Sequence, residues 1–259
     1  MKTLMEQVNF RIDGKVVVIT GGAQGLGLAM GEALSSMGAD IVIGDIQDEK
    51  SKEAANAIAR HYGNKTFPVH LNVADRPSIE RASEAVIAEF GKVDILINNA
   101  GIAHRKAIEE IQDQDWDRVM AINLKGVFLC SQIFGKFMVQ QRSGKIINMS
   151  SVVGFVGAEE RVCYGVSKSG VAHMTRLFAA DWARYNVTVN AIAPGYLITE
   201  MTANYFGQPE IGKKFLSTVP LGRFGKPSDL SGLIVFLASE TSNYITGQIF
   251  FVDGGRIIH

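Results

Sequence analysis

The stretch KVVVITGGAQGLG, Lys15 to Gly27, joins an apolar run of strand length to a Gly-rich turn that opens a helix. The apolarity is continuous rather than alternating, so the strand is covered on both faces. That is the mark of a parallel sheet sandwiched between helices. Glycines at 21, 25 and 27 permit a tight turn and a close backbone approach to a ligand, and the helix start offers free N–H groups and partial positive charge. The spacing is TGxxxGxG rather than GxGxxG, yet its place after the first strand makes it a dinucleotide pyrophosphate site.

Working outward, the same kind of run recurs at Asp40–Asp45, Thr66–Asn72, Val93–Asn98, Lys145–Ser150, Val187–Ala193 and Gln248–Val252. Amphipathic stretches lie between them: Gly25–Met37, Asp48–Tyr62, Pro77–Phe90, Asp113–Gln140, Ser167–Tyr185 and Ser228–Ala238, with Asp75 a start signal ahead of Pro77. The pattern predicts an α/β fold: a single-domain, Rossmann-type, doubly wound seven-stranded parallel sheet with helices on both faces, occupying residues 1–259. The exception is Tyr196–Gly225, which mixes Gly, Pro and aromatics over a length typical of lids above active sites.

Composition bounds the function. The 259 residues are 47% hydrophobic, enough for one large core. Basic and acidic residues balance at 26 each with no long run of either sign, which argues against a nucleic-acid surface. Met1 to Phe10 lacks an apolar leader core, and nothing approaches the roughly 18 apolar residues of a membrane span, so a cytoplasmic protein is expected. Cys130 and Cys163 have neither disulfide-framework nor zinc spacing and read as buried free thiols, with no metal site.

From about residue 10 onward the chain resembles the short-chain dehydrogenase/reductase family. Besides TGGAQGLG, the resemblance is carried by Asn98-Asn99-Ala100-Gly101, Asn123, Ser151, Tyr164-Gly165-Val166-Ser167-Lys168, Pro194-Gly195 and Val252-Asp253-Gly254-Gly255, in the family's order and intervals. It implies that Gly21, Gln24, Gly25, Leu26 and Gly27 surround the pyrophosphate. Asn72 and Val73 would flank adenine, Asn72 standing where many relatives have Asp. Asn99, Ala100 and Gly101 would sit against the ribose, while Pro194, Gly195, Leu197 and Thr199 would lie at the nicotinamide.

The i, i+4 spacing of Tyr164 and Lys168 puts ammonium and phenol on one helix face, where Lys168 and the oxidised nicotinamide together would favour the phenolate needed for proton transfer. Both residues also count among the cofactor contacts. Ser151, thirteen residues before Tyr164 as in the family, is expected to hydrogen-bond the substrate oxygen in preference to Ser150. The resemblance gives Asn123 a water that links Lys168 to solvent.

Asp45 ends the second strand about twenty residues after the Gly-rich loop, where a carboxylate accepts hydrogen bonds from ribose hydroxyls. Against a ribose phosphate it would repel by roughly 4 kcal/mol at about 4 Å and an effective dielectric of about 20. Gln24 and Ile46 occupy places where NADP-dependent relatives carry a base, so NAD is the expected cofactor. The competing role for Asp45 is to cap the following helix.

His104, Arg105 and Lys106 after NNAG, and Glu159, Glu160 and Arg161 before Tyr164, border the substrate cleft in relatives. His104, Arg105 and Glu160 are the chosen substrate residues. A finer resemblance, in Pro194–Met201 and Arg105-Lys106, is to members acting on sugars, sugar acids and polyols. The implied reaction is reversible hydride transfer between NAD and a small secondary alcohol or ketone. The alternatives are a 3-oxoacyl-thioester reductase and a non-catalytic nucleotide-binding scaffold. Apolar and small residues on several faces of the helix after Tyr164, and the apolar tail Ile257-Ile258-His259, suggest a homotetramer.

Overall fold

The computed structural model describes residues 8–258; residues 1–7 and His259, which belong to the stretches read for a leader and for an apolar tail, lie outside it. Seven strands form one parallel sheet: β1 Val16–Thr20, β2 Asp40–Asp45, β3 Thr66–His70, β4 Ile95–Asn98, β5 Gly144–Met149, β6 Val187–Pro194 and β7 Ile249–Val252. Their spatial order is β3-β2-β1-β4-β5-β6-β7, every pairing being parallel. Winding reverses between β1 and β4, and a crevice opens there beyond the strand C-termini.

Alternate residues of the five inner strands feed two cores, as side-chain alternation across a pleated sheet requires, while β3 and β7 at the edges each add to one. Val17, Ile19, Ile41, Ile43, Ile95, Ile97 and Ile147 pack on one face with Met30 and Leu34 of α1 (Gly25–Ser36), Ile58 of α2 (Asp48–Tyr62) and Leu237 of α9 (Ser231–Ala238). Val16, Val18, Val42, Leu96, Ile146 and Val189 pack on the other with Ile79 of α3 (Arg76–Phe90), Phe134 of α5 (Gly126–Gln141) and Ala179 of α6 (Val162–Trp182). The α3 start follows its sequence signal, the Asp75 carboxylate accepting from the Ser78 N–H at 3.1 Å.

Three expected elements differ. The helix expected over Asp113–Gln140 is α4 (Asp113–Met120) and α5, joined by a π-helical turn at Ala121–Lys125 that contains Asn123. Helix α6 begins at Val162 rather than Ser167, which places Tyr164 inside it. Tyr196–Gly225 is not a plain loop but folds as α7 (Glu200–Phe206) and α8 (Pro209–Leu216) above a neck closed by pairing of Leu197 with Gly225. Proline at the first position of α8 starts that helix, and Tyr196, Phe206 and Phe215, with ring centroids 4.8 to 5.6 Å apart, supply the segment's own core.

A buried polar chain ties the C-terminal ends of β4 and β5 to the helices behind them. Asn98 Nδ2 donates to Ser131 Oγ (2.9 Å) and Asn148 Oδ1 (2.8 Å), and Asn148 Nδ2 donates to Thr175 Oγ1 (2.9 Å). Buried donors left unpaired cost more than the bonds contribute. Asn148→Ala is therefore expected to lower unfolding stability by about 2 to 3 kcal/mol. Urea titration with an unchanged denaturant slope would read this out, and a wild-type midpoint would show the chain of bonds to be dispensable.

Candidate active site

The crevice is a continuous cleft of about 710 Å³ beyond the strand ends. Its floor is the Gly-rich loop, where Gly21 (φ 63°) and Gly25 (φ 57°) occupy the left-handed region that disfavours side chains. A Cβ on Gly25 would meet no protein atom, whereas one on Gly27 would overlap the Gly21 carbonyl oxygen. Gly27 is accordingly not part of the wall; it lets α1 start against the loop. Gly21, Gln24, Gly25 and Leu26 do line the cleft. Bare backbone at a helix N-terminus facing open space fits a dinucleotide pyrophosphate.

Asn99 holds this loop in place. Its Nδ2 donates to the carbonyls of Thr20 (3.1 Å) and Gly21 (2.8 Å), while Thr20 Oγ1 accepts from the N–H groups of Asn99 and Ala100, both at 3.0 Å. Asn99, Ala100 and Gly101 themselves line the cleft.

At the far end of the loop, Asp45 lines the cleft, 7% exposed. Its carboxylate accepts from Ala23 N–H (3.2 Å) and Gln47 N–H (3.1 Å), so it anchors the loop and the start of α2 together. Ile46 beside it is 61% exposed. Lys50, which sequence reading passed over, donates to Gln24 Oε1 at 2.8 Å and brings an amine to this corner. Asn72 and Val73 also line the wall, and Asn72 Oδ1 accepts from Ala74 N–H at 3.0 Å.

Ser151, Tyr164, Lys168, Pro194, Gly195, Leu197 and Thr199 line the middle of the cleft. Ser151 leaves the end of β5, its hydroxyl accepting from Val153 N–H at 3.3 Å, and its presence beside Tyr164 favours the charged phenol. Ser150 lines the cleft as well, its hydroxyl donating to the Lys168 carbonyl at 2.8 Å. Lys168 Nζ donates to Met149 O at 2.8 Å and stands 5.8 Å from the centre of the Tyr164 ring.

In the protein without cofactor, burial outweighs the charge of Lys168 at the phenol. Burial pushes Tyr164 above its ordinary value, against smaller opposing effects of Ser151 and Arg161. Burial likewise lowers Lys168 to about 8. Both groups are thus driven toward neutrality in the protein alone. Asn123 lies outside the wall, where its side chain accepts from Ile102 N–H (2.8 Å) and donates to Ile102 O (2.9 Å) and Ser167 Oγ (3.3 Å).

The remaining end of the cleft is bounded by Arg105, Glu159, Arg161, Lys214 and Arg256 with Tyr196, Phe206 and Phe215. Of the three expected substrate residues only Arg105 lines it. Glu160 is bound to Arg105 at 2.5 Å on the rim, and His104 turns its ring toward Asp115, 3.8 Å from Nε2. Lys214, Phe206 and Phe215 escaped the sequence reading because α7 and α8 carry no motif. Among the described residues there is no cluster of potential metal ligands and no helix long and apolar enough to cross a membrane. Both cysteines are buried and unpaired, the Cys130 thiol being pushed up to about 12 by burial.

Comparison with known proteins matches this geometry. A family model described as enoyl-(acyl carrier protein) reductase covers residues 21–256. The chain is 42% identical over 249 residues to 3-oxoacyl-[acyl-carrier-protein] reductase FabG of Thermotoga maritima, spanning 96% of this chain and all of that one. It is also 42% identical over 248 residues to 2-dehydro-3-deoxy-D-gluconate 5-dehydrogenase of Escherichia coli, spanning 95% and 96% of the two chains. A gluconate 5-dehydrogenase from Burkholderia cenocepacia, solved with NADP and tartrate, superposes with a TM-score of 0.93 at 35% identity over 97% of this chain and 98% of its own. With its Gly-rich floor, its serine, tyrosine and lysine on one wall and relatives matched over nearly their whole length, the chain belongs to the short-chain dehydrogenase/reductase family of nicotinamide-dependent oxidoreductases.

Proposed function

We propose that the protein is an NAD-dependent dehydrogenase that reversibly moves a hydride between the cofactor and a secondary alcohol or ketone of a polyol, sugar or sugar acid. The observation that carries this reading is a single cleft in which Ser151 and Tyr164 stand between the Gly-rich floor and an end walled by Arg105, Arg161 and Lys214. Such a wall suits hydroxylated or anionic molecules. The 42% identity to FabG favours a second reading, reduction of a 3-oxoacyl thioester. Sugar-acid and polyol dehydrogenases at 38 to 42% identity support the first. A scaffold without catalysis would have no use for the retained Ser151, Tyr164 and Lys168.

The bound oxidised nicotinamide would supply a hydride acceptor and a positive charge beside the phenol. Ser151 orients the substrate oxygen, and Tyr164 takes the hydroxyl proton on oxidation or returns it on reduction. Because burial raises Tyr164, deprotonation, and with it alcohol oxidation, is favoured as pH rises. Lys168 stays cationic below about pH 8 and assists there. Asn123 fixes the Ile102 segment, so any water relay falls to its main-chain carbonyl rather than its side chain. Homotetramer formation belongs to the same proposal, supported by Leu177 of α6, 54% exposed, and Phe128 of α5, 37% exposed.

A substrate panel followed by NADH absorbance is expected to give higher kcat/KM on polyols, ketoses or sugar acids than on an acetoacetyl thioester or a steroid ketone. Activity confined to the thioester would establish the second reading instead. Tyr164→Phe is expected to keep cofactor affinity while hydride transfer in stopped flow falls by about three powers of ten or more. Wild-type rates would remove Tyr164 from the mechanism.

The NAD preference rests on Asp45, since the gluconate 5-dehydrogenase neighbour was solved with NADP. Lys50 near Gln24 offsets part of the repulsion a ribose phosphate would meet. The kcat/KM ratio is therefore expected to favour NAD by roughly ten- to a hundred-fold, and Asp45→Ala with Ile46→Arg to reverse it. A wild-type preference for NADP would overturn the Asp45 assignment.

A further inference from the structure

We infer that Arg161 anchors a carboxylate of the substrate, so that the compound oxidised in this cleft is a hydroxy acid rather than a neutral polyol. The inference rests on the hydride-transfer reading proposed above and narrows its substrate class.

Arg161 is the residue from which α6 starts, three positions before Tyr164, and its guanidinium carbon lies 5.9 Å from the centre of the Tyr164 ring. It lines the cleft, half-buried. A substrate whose alcohol oxygen meets Tyr164 therefore extends its next carbons past this cation.

The other cations of the wall are engaged. Arg105 is paired with Glu160 at 2.5 Å and stacks on Tyr205 at 4.6 Å, and Lys214 is paired with Glu159 at 3.0 Å. Lys168 donates to the Met149 carbonyl, and Arg256 donates to the Tyr196 hydroxyl at 3.2 Å. Arg161, like Lys168, has neither a carboxylate within ion-pair distance nor a side-chain acceptor among the described residues, but unlike the buried Lys168 it is only half-buried and carries a forked head. Its one hydrogen bond to protein there runs from Nη1 to the His104 carbonyl at 3.2 Å. Of the five N–H groups of a guanidinium, four remain for a ligand, in the planar fork that fits a carboxylate. A half-buried cation left so is costly unless an anion completes it.

The backbone holds this arrangement. Glu160, immediately before, has φ 59°, a left-handed conformation that a side chain as long as glutamate avoids. Two contacts enforce it: Lys106 N–H donates to the Glu160 carbonyl at 3.0 Å, and Arg105 binds its carboxylate. The turn thereby sends Glu160 to the rim, where it is bound to another cation, and Arg161 into the cleft. Backbone strain of this kind is kept where it aims a functional group.

The test compares matched pairs that differ only in an end group, D-gluconate with D-glucitol and D-threonate with D-threitol, on wild type, Arg161→Gln and Arg161→Lys. NADH binding by fluorescence reports that each variant retains its fold and cofactor site. Wild type is expected to prefer the acid of a pair, and Arg161→Gln to lower the acid-to-polyol ratio of kcat/KM by about a hundred-fold, chiefly through KM, with Arg161→Lys in between. An unchanged ratio in Arg161→Gln, or a wild-type preference for the polyols, would overturn the inference while leaving polyol oxidation standing. Turnover of an acetoacetyl thioester with none of the four compounds would instead defeat the proposed function, and this inference with it.

Discussion

The geometry of the cleft depends on one joint, the hydrogen bonds between Thr20 at the end of β1 and Asn99 just beyond β4. Winding reverses between these two strands, so no helix crosses above them and the loops that follow part to either side. Backbone groups in such a gap lose their sheet partners. The Asn99 carboxamide and the Thr20 hydroxyl replace those partners and fix the Gly-rich loop against the NNAG segment. Gly27 completes the joint from below, since any side chain there would drive the loop off the helix. Floor and wall thus form one rigid corner, and the buried Asn98–Asn148–Thr175 chain extends that rigidity to α6, which carries Tyr164.

Rigidity alone does not make the phenol reactive. Burial works against charge on both Tyr164 and Lys168, so the empty protein holds a proton donor and a weakened cation rather than a preformed phenolate. Charge on the phenol is stabilised only when further positive charge arrives in the cleft. On the reading proposed above, acid/base action by Tyr164 would therefore depend on the cleft being occupied.

How much of this could be seen in the amino-acid sequence follows from the range of each signal. The five inner strands were legible because runs such as VVVIT and ILIN are buried on both faces and read as unbroken apolar segments, while the edge strands β3 and β7 are only partly buried. Tyr164 and Lys168 were legible because a helix turn brings i and i+4 together. Arg161 was placed by resemblance at the border of the substrate cleft but was not among the chosen substrate residues, since its direction depends on the left-handed turn at Glu160 and on contacts from Arg105 and Lys106, more than fifty positions away. Glu160, chosen as a substrate residue, stands outside the cleft wall for the same reason. Lys50 beside Gln24 and Lys214 opposite Glu159 are tertiary neighbours with no local mark. The folding of α7 and α8 was hidden by the brevity of both helices, which are joined by aromatic contacts of Tyr205 and Phe206 with Phe215.

The π-helical turn at Ala121–Lys125 is one residue wider than a regular turn, its closing bond running from Gly126 N–H to Ala121 O. Removing one residue would restore an ordinary helix, but would also rotate α5 by about 100° and draw it in by about 1.5 Å relative to α4. Phe134 and Met138 would leave the core, or Asn123 would leave Ile102. Chain length, which drifts freely in surface loops, is therefore frozen across this apparently uninterrupted helix. Descendants of this sequence can gain or lose residues around Gly63 or Gly91, where the chain turns in open space, but not between Asp113 and Gln141.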